Sequence, residues 1–109
     1  MGMKIDHYNI VIVNLDPTIG SEIKKTRPCL VISPNEMNHN LRTIVIAPIT
    51  NTNKDYPTRI TIENDDSSGM VAIDQIRNID KQRILKVIGM ITPHEVKEVK
   101  RIMEETYVK

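Results

Sequence analysis

Runs of apolar residues separated by short polar segments dominate the chain and predict a small protein built from β-strands. The first run is apolar apart from Asn14, which is typical of a buried strand. The segment 34–42 is polar and rich in Asn, and it is predicted to be a loop. Pro48 lies inside the third run and marks a bulge or an edge there, because proline cannot donate to a strand ladder. The predicted strands cover residues 10–15, 28–33, 43–49, 59–62, 69–73 and 86–91.

The pattern changes from strand to helix near the C-terminus. Thr92, Pro93 and Glu95 form a capping-box signature, with a hydroxyl at the N-cap, proline at the first helical position and glutamate at the third. The apolar residues that follow recur at the spacing of an amphipathic helix: Val96, Val99, Ile102 and Met103. Several short strands followed by one helix predict a fold that is mainly β with α, a small, strongly curved antiparallel barrel with the helix packed on it.

Composition narrows the class of protein. The 109 residues are predicted to form one domain, residues 1–109, and the core must be mostly Ile and Val because the chain has no Trp and no Phe. No apolar run is long enough for a signal peptide or a membrane span. Cys29 is the one cysteine, so it makes no internal disulfide. These features predict a cytoplasmic protein.

The overall charge does not announce a nucleic-acid-binding protein. The formal net charge is +1 and the isoelectric point is about 7.9, below the range expected of a basic RNA-binding domain. Any RNA-binding groove must therefore come from local clusters of basic residues, each of which is by itself more often a solvated face. The two clusters are Lys24, Lys25 and Arg27, and Arg77, Lys81, Arg83 and Lys86.

The loop between the first two predicted strands concentrates charged and hydroxyl groups. It reads DPTIGSE from Asp16 to Glu22, and KKTRP follows from Lys24 to Pro28. Small β proteins usually place their chemistry on such a loop. Arg27 has a planar, permanently charged guanidinium that suits a phosphate. Because Arg27 precedes a proline, its backbone is biased towards an extended conformation.

This loop resembles the first loop of the MazF/PemK/Kid family of toxin endoribonucleases, which reads Asp-Pro-x-x-Gly-Ser-Glu and ends in Arg-Pro. The chain departs from the family where the first strand begins, because most members have Gly-Asp or Gly-Glu where this chain has Tyr8-Asn9. The resemblance covers most of the chain. Two further blocks carry it in the family's order and spacing: Pro48-Ile49-Thr50 with Tyr56-Pro57 downstream, and Gly69 to Asp74-Gln75-Ile76-Arg77 and on to Asp80-Lys81.

The resemblance implies an SH3-like barrel that forms a homodimer and is neutralised by a cognate acidic antitoxin. It also implies cleavage of single-stranded RNA without a metal or another cofactor, to 2′,3′-cyclic phosphate and 5′-hydroxyl ends. In such a toxin Arg27 is the principal catalytic residue and Thr50 the second. The candidate RNA-binding residues are Ser21, Lys24, Lys25, Asn51, Tyr56, Gln75 and Arg77.

The chemistry of metal-free RNA cleavage assigns roles to these side chains. The 2′-hydroxyl must lose a proton, the phosphorane must be stabilised and the 5′-oxygen must gain a proton. Arginine rarely gives up a proton, so Arg27 suits stabilisation of the transition state better than the role of base. The Thr50 hydroxyl can donate to a non-bridging phosphate oxygen. Glu22 completes the predicted catalytic set, either as the base or as a carboxylate that holds Arg27. Among the three tyrosines, Tyr56 is the best candidate for stacking on a base.

Two other functions compete with this prediction. Gyrase-poison toxins share the fold and grip gyrase with a C-terminal Trp-Gly-Ile, whereas this chain ends in Glu105-Thr106-Tyr107-Val108-Lys109 and contains no Trp. A catalytically silent RNA-binding barrel is the third possibility. The presence of Arg27, Thr50 and Glu22 together counts against it.

Overall fold

Seven antiparallel strands and a C-terminal helix make up the part of the chain that the computed structural model describes, residues 3–14, 26–51, 59–63 and 68–108. The strands are β1 (Asn9–Asn14), β2 (Thr26–Val31), β3 (Thr43–Thr50), β4 (Arg59–Glu63), β5 (Ser68–Ala72), β6 (Arg77–Asp80) and β7 (Ile84–Met90). The helices are α1 (Asn35–Asn38) and α2 (Pro93–Met103), and the shorter turns are the 3-10 turns Ile73–Gln75 and Lys81–Arg83 and the π-helical turn Glu104–Val108.

Five of these strands are neighbours in the order β6, β3, β2, β1 and β7, and the 3-10 turn after β6 leads into β7. On the other edge β3 also pairs with β5, and β5 pairs with β4. The predicted class, mainly β with a C-terminal helix, is confirmed. The barrel is open over the described residues, because no ladder there joins β6 to β7 or β4 to β7.

Two apolar clusters lie on opposite faces of the sheet. Ile10 and Leu30 belong to the cluster that also contains Val99 and Ile102 of α2. Val11 and the other alternate residues belong to a second cluster, contributed by β1, β2, β3, β6 and β7 together with Ile5. Because successive side chains of a strand point to opposite faces, a strand between two clusters must be apolar at every position. This requirement explains the continuous apolar run of β1.

The N-terminus of α2 forms the predicted capping box. The Thr92 hydroxyl accepts from the Glu95 N–H at 3.2 Å, and Glu95 Oε1 accepts from the Thr92 N–H at 2.9 Å. The second carboxylate oxygen, Oε2, accepts from the Glu63 N–H at the end of β4, also at 2.9 Å. Glu95 is buried, so one carboxylate joins the helix to the sheet.

Replacing Glu95 with Gln is expected to destabilise the protein by about 1–3 kcal/mol, because the amide presents an N–H group to one of two partly buried backbone donors. For a domain of this size the melting temperature should fall by about 4–8 °C for each kcal/mol. Differential scanning calorimetry measures this change. Glu98→Gln is the matched control, because Glu98 pairs with Arg101 on the exposed side of the same helix. Equal melting temperatures for the two variants would contradict the assigned role of Glu95.

The hydrophobic pattern does not predict β6 or α1. Strand β6 has one buried residue, Ile79, so it carries no apolar run. The segment 34–42, predicted to be a loop, contains the single helical turn α1, whose Asn38 is buried. Asn38 Nδ2 donates to the carbonyl oxygen of Ser33 at 2.8 Å. The Asn-rich composition therefore satisfies a buried hydrogen-bond network as well as a turn.

Pro48 lies where β3 changes neighbours. On one side β3 pairs with β2, and Pro48 is opposite Cys29. On the other side residues 43–46 pair with β6, and residues 49–50 pair with β5. Pro48 falls between these two ladders, where a residue without an N–H group is tolerated. The predicted irregularity is thus a change of partner strand within a buried, continuous β3.

Tyr8, the residue just before β1, adopts a left-handed backbone conformation with φ of 72°. Its N–H donates to the carbonyl oxygen of Val31 at 3.0 Å, and its carbonyl oxygen accepts from the Ile91 N–H at 3.3 Å. A positive φ is uncommon for any residue other than glycine. The strand therefore begins with the backbone shape for which glycine is suited, and two backbone hydrogen bonds hold Tyr8 in it.

Candidate active site

Arg27 and Thr50, the two residues expected to lead catalysis, lie on adjacent strands. The β2–β3 ladder ends at the pair Cys29–Pro48, so Arg27 and Thr50 each lie two residues beyond it, at the same end of the two strands. Arg27 is exposed and Thr50 is half-buried. A guanidinium and a hydroxyl are therefore brought to the same end of two adjacent strands.

The strand alternation puts both residues on the same face of the sheet. Arg27 shares its face with Cys29, and Thr50 shares its face with Ile46, because residues two apart on a strand point the same way. Cys29 and Ile46 both belong to the cluster on the side away from α2. The Arg27 and Thr50 side chains thus leave the sheet on the face opposite to the helix.

Arg77 belongs to this face as well. It is exposed, it begins β6 and it lies opposite Ile46 of β3. Its neighbour two residues along, Ile79, belongs to the same cluster as Cys29 and Ile46. Strands β2, β3 and β6 therefore contribute Arg27, Thr50 and Arg77 to one surface, which we call the arginine face.

The buried thiol of Cys29 reports on the charge of this face. Burial raises the pKa of Cys29 to about 12, and the positive charges of Arg27 and Arg77 act in the opposite direction, to lower that pKa. Both guanidiniums therefore act on the same buried group from the arginine face. Two cations that act at one point favour an anion, and a planar guanidinium fork matches a phosphate group. Cys29 itself is a core residue that remains a neutral thiol.

Two further RNA-binding candidates are described. Asn51 is exposed and directly follows Thr50 at the end of β3. Gln75 is exposed on the 3-10 turn between β5 and β6, next to Asp74. Asp74 Oδ1 accepts from Arg59 Nε of β4 at 3.3 Å, so the Asp74 side chain anchors this turn to β4. Glu22, Ser21, Lys24, Lys25 and Tyr56 lie outside the described residues.

Gly69 is a contributor to the site whose role the sequence pattern does not reveal. It has a φ of 146°, a conformation that L residues rarely adopt, and it pairs with Ile62 of β4. A Cβ atom at this position would lie 2.6 Å from the carbonyl oxygen of Thr50. The sequence does contain one signal for this role, because an isolated glycine within a strand often marks a close approach of another backbone.

A candidate metal site and a membrane-spanning helix are both absent from the described residues. No three His, Cys, Asp or Glu side chains among them gather in a way that could hold a metal ion. In the same ranges no helix has both the length and the apolar character needed to cross a membrane. His39 pairs with Asp6 at 2.9 Å, and the His7 ring stacks on the Tyr8 ring with 3.6 Å between centroids.

The architecture defines the general class, a mainly β protein with a C-terminal helix, and comparison with known proteins defines the family. The family described as "PemK-like, MazF-like toxin of type II toxin-antitoxin system" matches residues 6–106. The chain therefore belongs to this family of toxins, as the resemblance predicted. The resemblance assigned Arg27, Thr50 and Arg77 to motif positions of this family. The fold places all three on one face of the sheet.

Individual relatives agree with this assignment. The endoribonuclease toxin MazF of Escherichia coli K12 is 29% identical over 96 residues, which cover 87% of this chain and 86% of the relative. The endoribonuclease MazF of Staphylococcus saprophyticus is 28% identical over 102 residues, 88% of this chain and 85% of the relative. A crystal structure of MazE–MazF from Deinococcus radiodurans superposes with a TM-score of 0.83 at 26% identity, covering 95% and 96% of the two chains.

The same fold occurs at lower identity in a mycobacterial endoribonuclease in complex with its cognate antitoxin. The TM-score is 0.80 at 20% identity, with 93% of this chain and 92% of that chain covered. This likeness extends over the sheet and the C-terminal helix together, so the predicted architecture is confirmed as that of the family.

Proposed function

We propose that the protein is an endoribonuclease toxin that cleaves single-stranded RNA at the arginine face. The observation that carries the proposal is that Arg27 and Thr50 lie at the same end of the adjacent strands β2 and β3 and on one face of the sheet. Relatives named endoribonuclease MazF cover 87–88% of the chain and support this function. The 109 residues act as one toxin domain.

The reaction is an intramolecular transesterification of the RNA backbone. The 2′-oxygen attacks the adjacent phosphorus as its proton passes to a base, the bond to the 5′-oxygen breaks, and that oxygen gains a proton. Arg27 stabilises the negative charge that develops on the non-bridging oxygens, and the Thr50 hydroxyl donates to one of them. Glu22 serves as the base or holds Arg27 in place. The products are a 2′,3′-cyclic phosphate and a 5′-hydroxyl.

RNA binding extends the charge of this face along the substrate. Arg77 contacts a phosphate beside the reacting one, because its guanidinium and that of Arg27 act on the same region of the sheet. Lys24, Lys25, Ser21 and Asn51 add contacts to the RNA, and Tyr56 stacks on a base. Gln75 contacts the RNA from the 3-10 turn.

The partners follow from the charge of the site. An acidic, disordered antitoxin segment is attracted to the same cations and competes with RNA. Two copies of the toxin form a homodimer, which gives a small domain enough surface to hold several nucleotides. The protein acts in the cytoplasm, where both mRNA and the antitoxin are found.

Cleavage is expected to persist in excess chelator, because a guanidinium and a hydroxyl supply the positive charge that a metal ion would otherwise provide. The purified protein should cut single-stranded RNA in EDTA, and mass spectrometry of the fragments should find 2′,3′-cyclic phosphate and 5′-hydroxyl ends. Activity that disappears with EDTA and returns with Mg²⁺ would refute the mechanism. An absence of cleavage, together with inhibition of gyrase, would establish the gyrase-poison alternative instead.

A further inference from the structure

The π-helical turn Glu104–Val108, called the C-terminal turn below, contacts the 3-10 turn Ile73–Gln75. The Tyr107 hydroxyl donates to the carbonyl oxygen of Ile73 at 2.6 Å, across a sequence separation of 34 residues. Ile73 is the first residue of that turn and is fully buried, whereas Gln75 at its end is exposed. A segment remote in the sequence thus fixes the start of a short loop whose last residue is a candidate for RNA contact.

A second contact holds the same turn by a side chain. Asp74 Oδ1 accepts from Arg59 Nε at 3.3 Å, and only 8% of the Arg59 side chain is exposed. Arg59 is itself fixed in β4, where it pairs with Ala72 of β5. A mostly buried guanidinium is a firmer anchor than one on a flexible surface chain, because less side-chain entropy is lost on pairing.

The two contacts lie close to one another. Burial raises the pKa of Tyr107, and the negative charge of Asp74 raises that pKa further, so the Asp74 carboxylate lies near the phenol. Two elements therefore hold this turn in place. Arg59 of β4 binds the Asp74 side chain, and Tyr107 of the C-terminal turn binds the Ile73 carbonyl oxygen. Gln75, the last residue of this turn, is exposed.

We propose that Tyr107 is a positioning residue for RNA binding, which holds the 3-10 turn Ile73–Gln75 in the conformation that presents Gln75 to the substrate. The proposal rests on the proposed function, because it assigns a task to the C-terminal turn in that reaction. Tyr107 lies on the C-terminal turn Glu104–Val108, whereas Arg27 and Thr50 lie on the arginine face of β2 and β3. Its loss should therefore weaken substrate binding and spare the chemical step.

The test is Tyr107→Phe, which removes the hydroxyl and keeps the ring. Loss of one hydrogen bond that orders a binding loop is expected to raise KM about three- to tenfold, with kcat within about twofold of the parent. The dissociation constant for an RNA with a 2′-deoxy group at the cleaved position should rise by the same factor, which separates binding from turnover. Tyr8→Phe is the matched control, since it deletes a phenolic hydroxyl at the start of β1, and it should change neither constant.

A double-mutant cycle tests whether Tyr107 acts through Gln75. If it does, Gln75→Ala should already remove the benefit, and adding Tyr107→Phe should change KM little further. Full additivity of the two changes would overturn the proposal. A lower melting temperature with unchanged KM in Tyr107→Phe would also overturn it, because the hydrogen bond would then serve stability alone. An inactive parent protein would instead refute the proposed function, so the two failures are distinguishable.

Discussion

Arg27→Ala is expected to lower kcat for RNA cleavage by at least about a hundredfold, because it removes the main positive charge directed at the developing phosphorane. The melting temperature should stay nearly unchanged, since an exposed arginine at the end of a strand adds little stability. Rapid-quench measurement of cleavage with a defined oligonucleotide gives kcat, and calorimetry on the same preparation gives the melting temperature. The combination of lost activity and retained stability is what distinguishes a catalytic arginine from a structural one.

Three further variants sharpen this result. Arg42→Ala is the matched control, because Arg42 is exposed and lies just before β3, at the opposite end of that strand from Thr50, and kcat should be unchanged. Arg27→Lys keeps the charge and loses the planar fork, so its kcat should fall between those of the parent and Arg27→Ala. Thr50→Ala should reduce kcat less than Arg27→Ala, because a neutral hydroxyl stabilises the phosphorane less than a guanidinium does. Comparable cleavage by Arg27→Ala and the parent would sink the assignment.

The elements that the sequence predicts well are those in which one local rule acts alone. The apolar run of β1 is required by its position between two clusters, and the start of α2 is specified by Thr92 and Glu95. Strand β6 escapes prediction because it is held by pairing with β3 and has a single buried residue. The turn α1 escapes because its buried Asn38 reads as a loop residue until its partner Ser33 is known.

The candidate site divides in a similar way. Resemblance to the family supplies Arg27 and Thr50 as residues, and the hydrophobic pattern supplies the strands on which they lie. Neither supplies the register between β2 and β3, which is a long-range property and which brings the two residues to the same end of adjacent strands. Arg59 and Tyr107 bind the 3-10 turn Ile73–Gln75 through contacts between segments remote in sequence, so no local sequence pattern predicts these contacts.

Gly69 links the backbone of the site to the stability of the whole sheet, and Gly69→Ala is expected to damage both. A Cβ atom would meet the carbonyl oxygen of Thr50 at 2.6 Å and Ile49 Cγ2 at 3.1 Å. The φ of 146° is a conformation open to glycine, and an alanine held there costs about 1–3 kcal/mol before the clash is counted. The melting temperature should therefore fall by at least about 5 °C.

The same substitution should also lower kcat about tenfold or more, measured at a temperature where the variant is fully folded. The reason is that relief of the clash must move the backbone of Thr50, and a shift of about 1 Å in a catalytic group is enough for such a loss. Thr61→Ala on the exposed face of β4, opposite Met70, is the control and should leave both quantities unchanged. A folded Gly69→Ala with the parent's kcat would show that the position of the Thr50 backbone does not limit catalysis, and a parent-like melting temperature would show that the sheet accommodates the added methyl group.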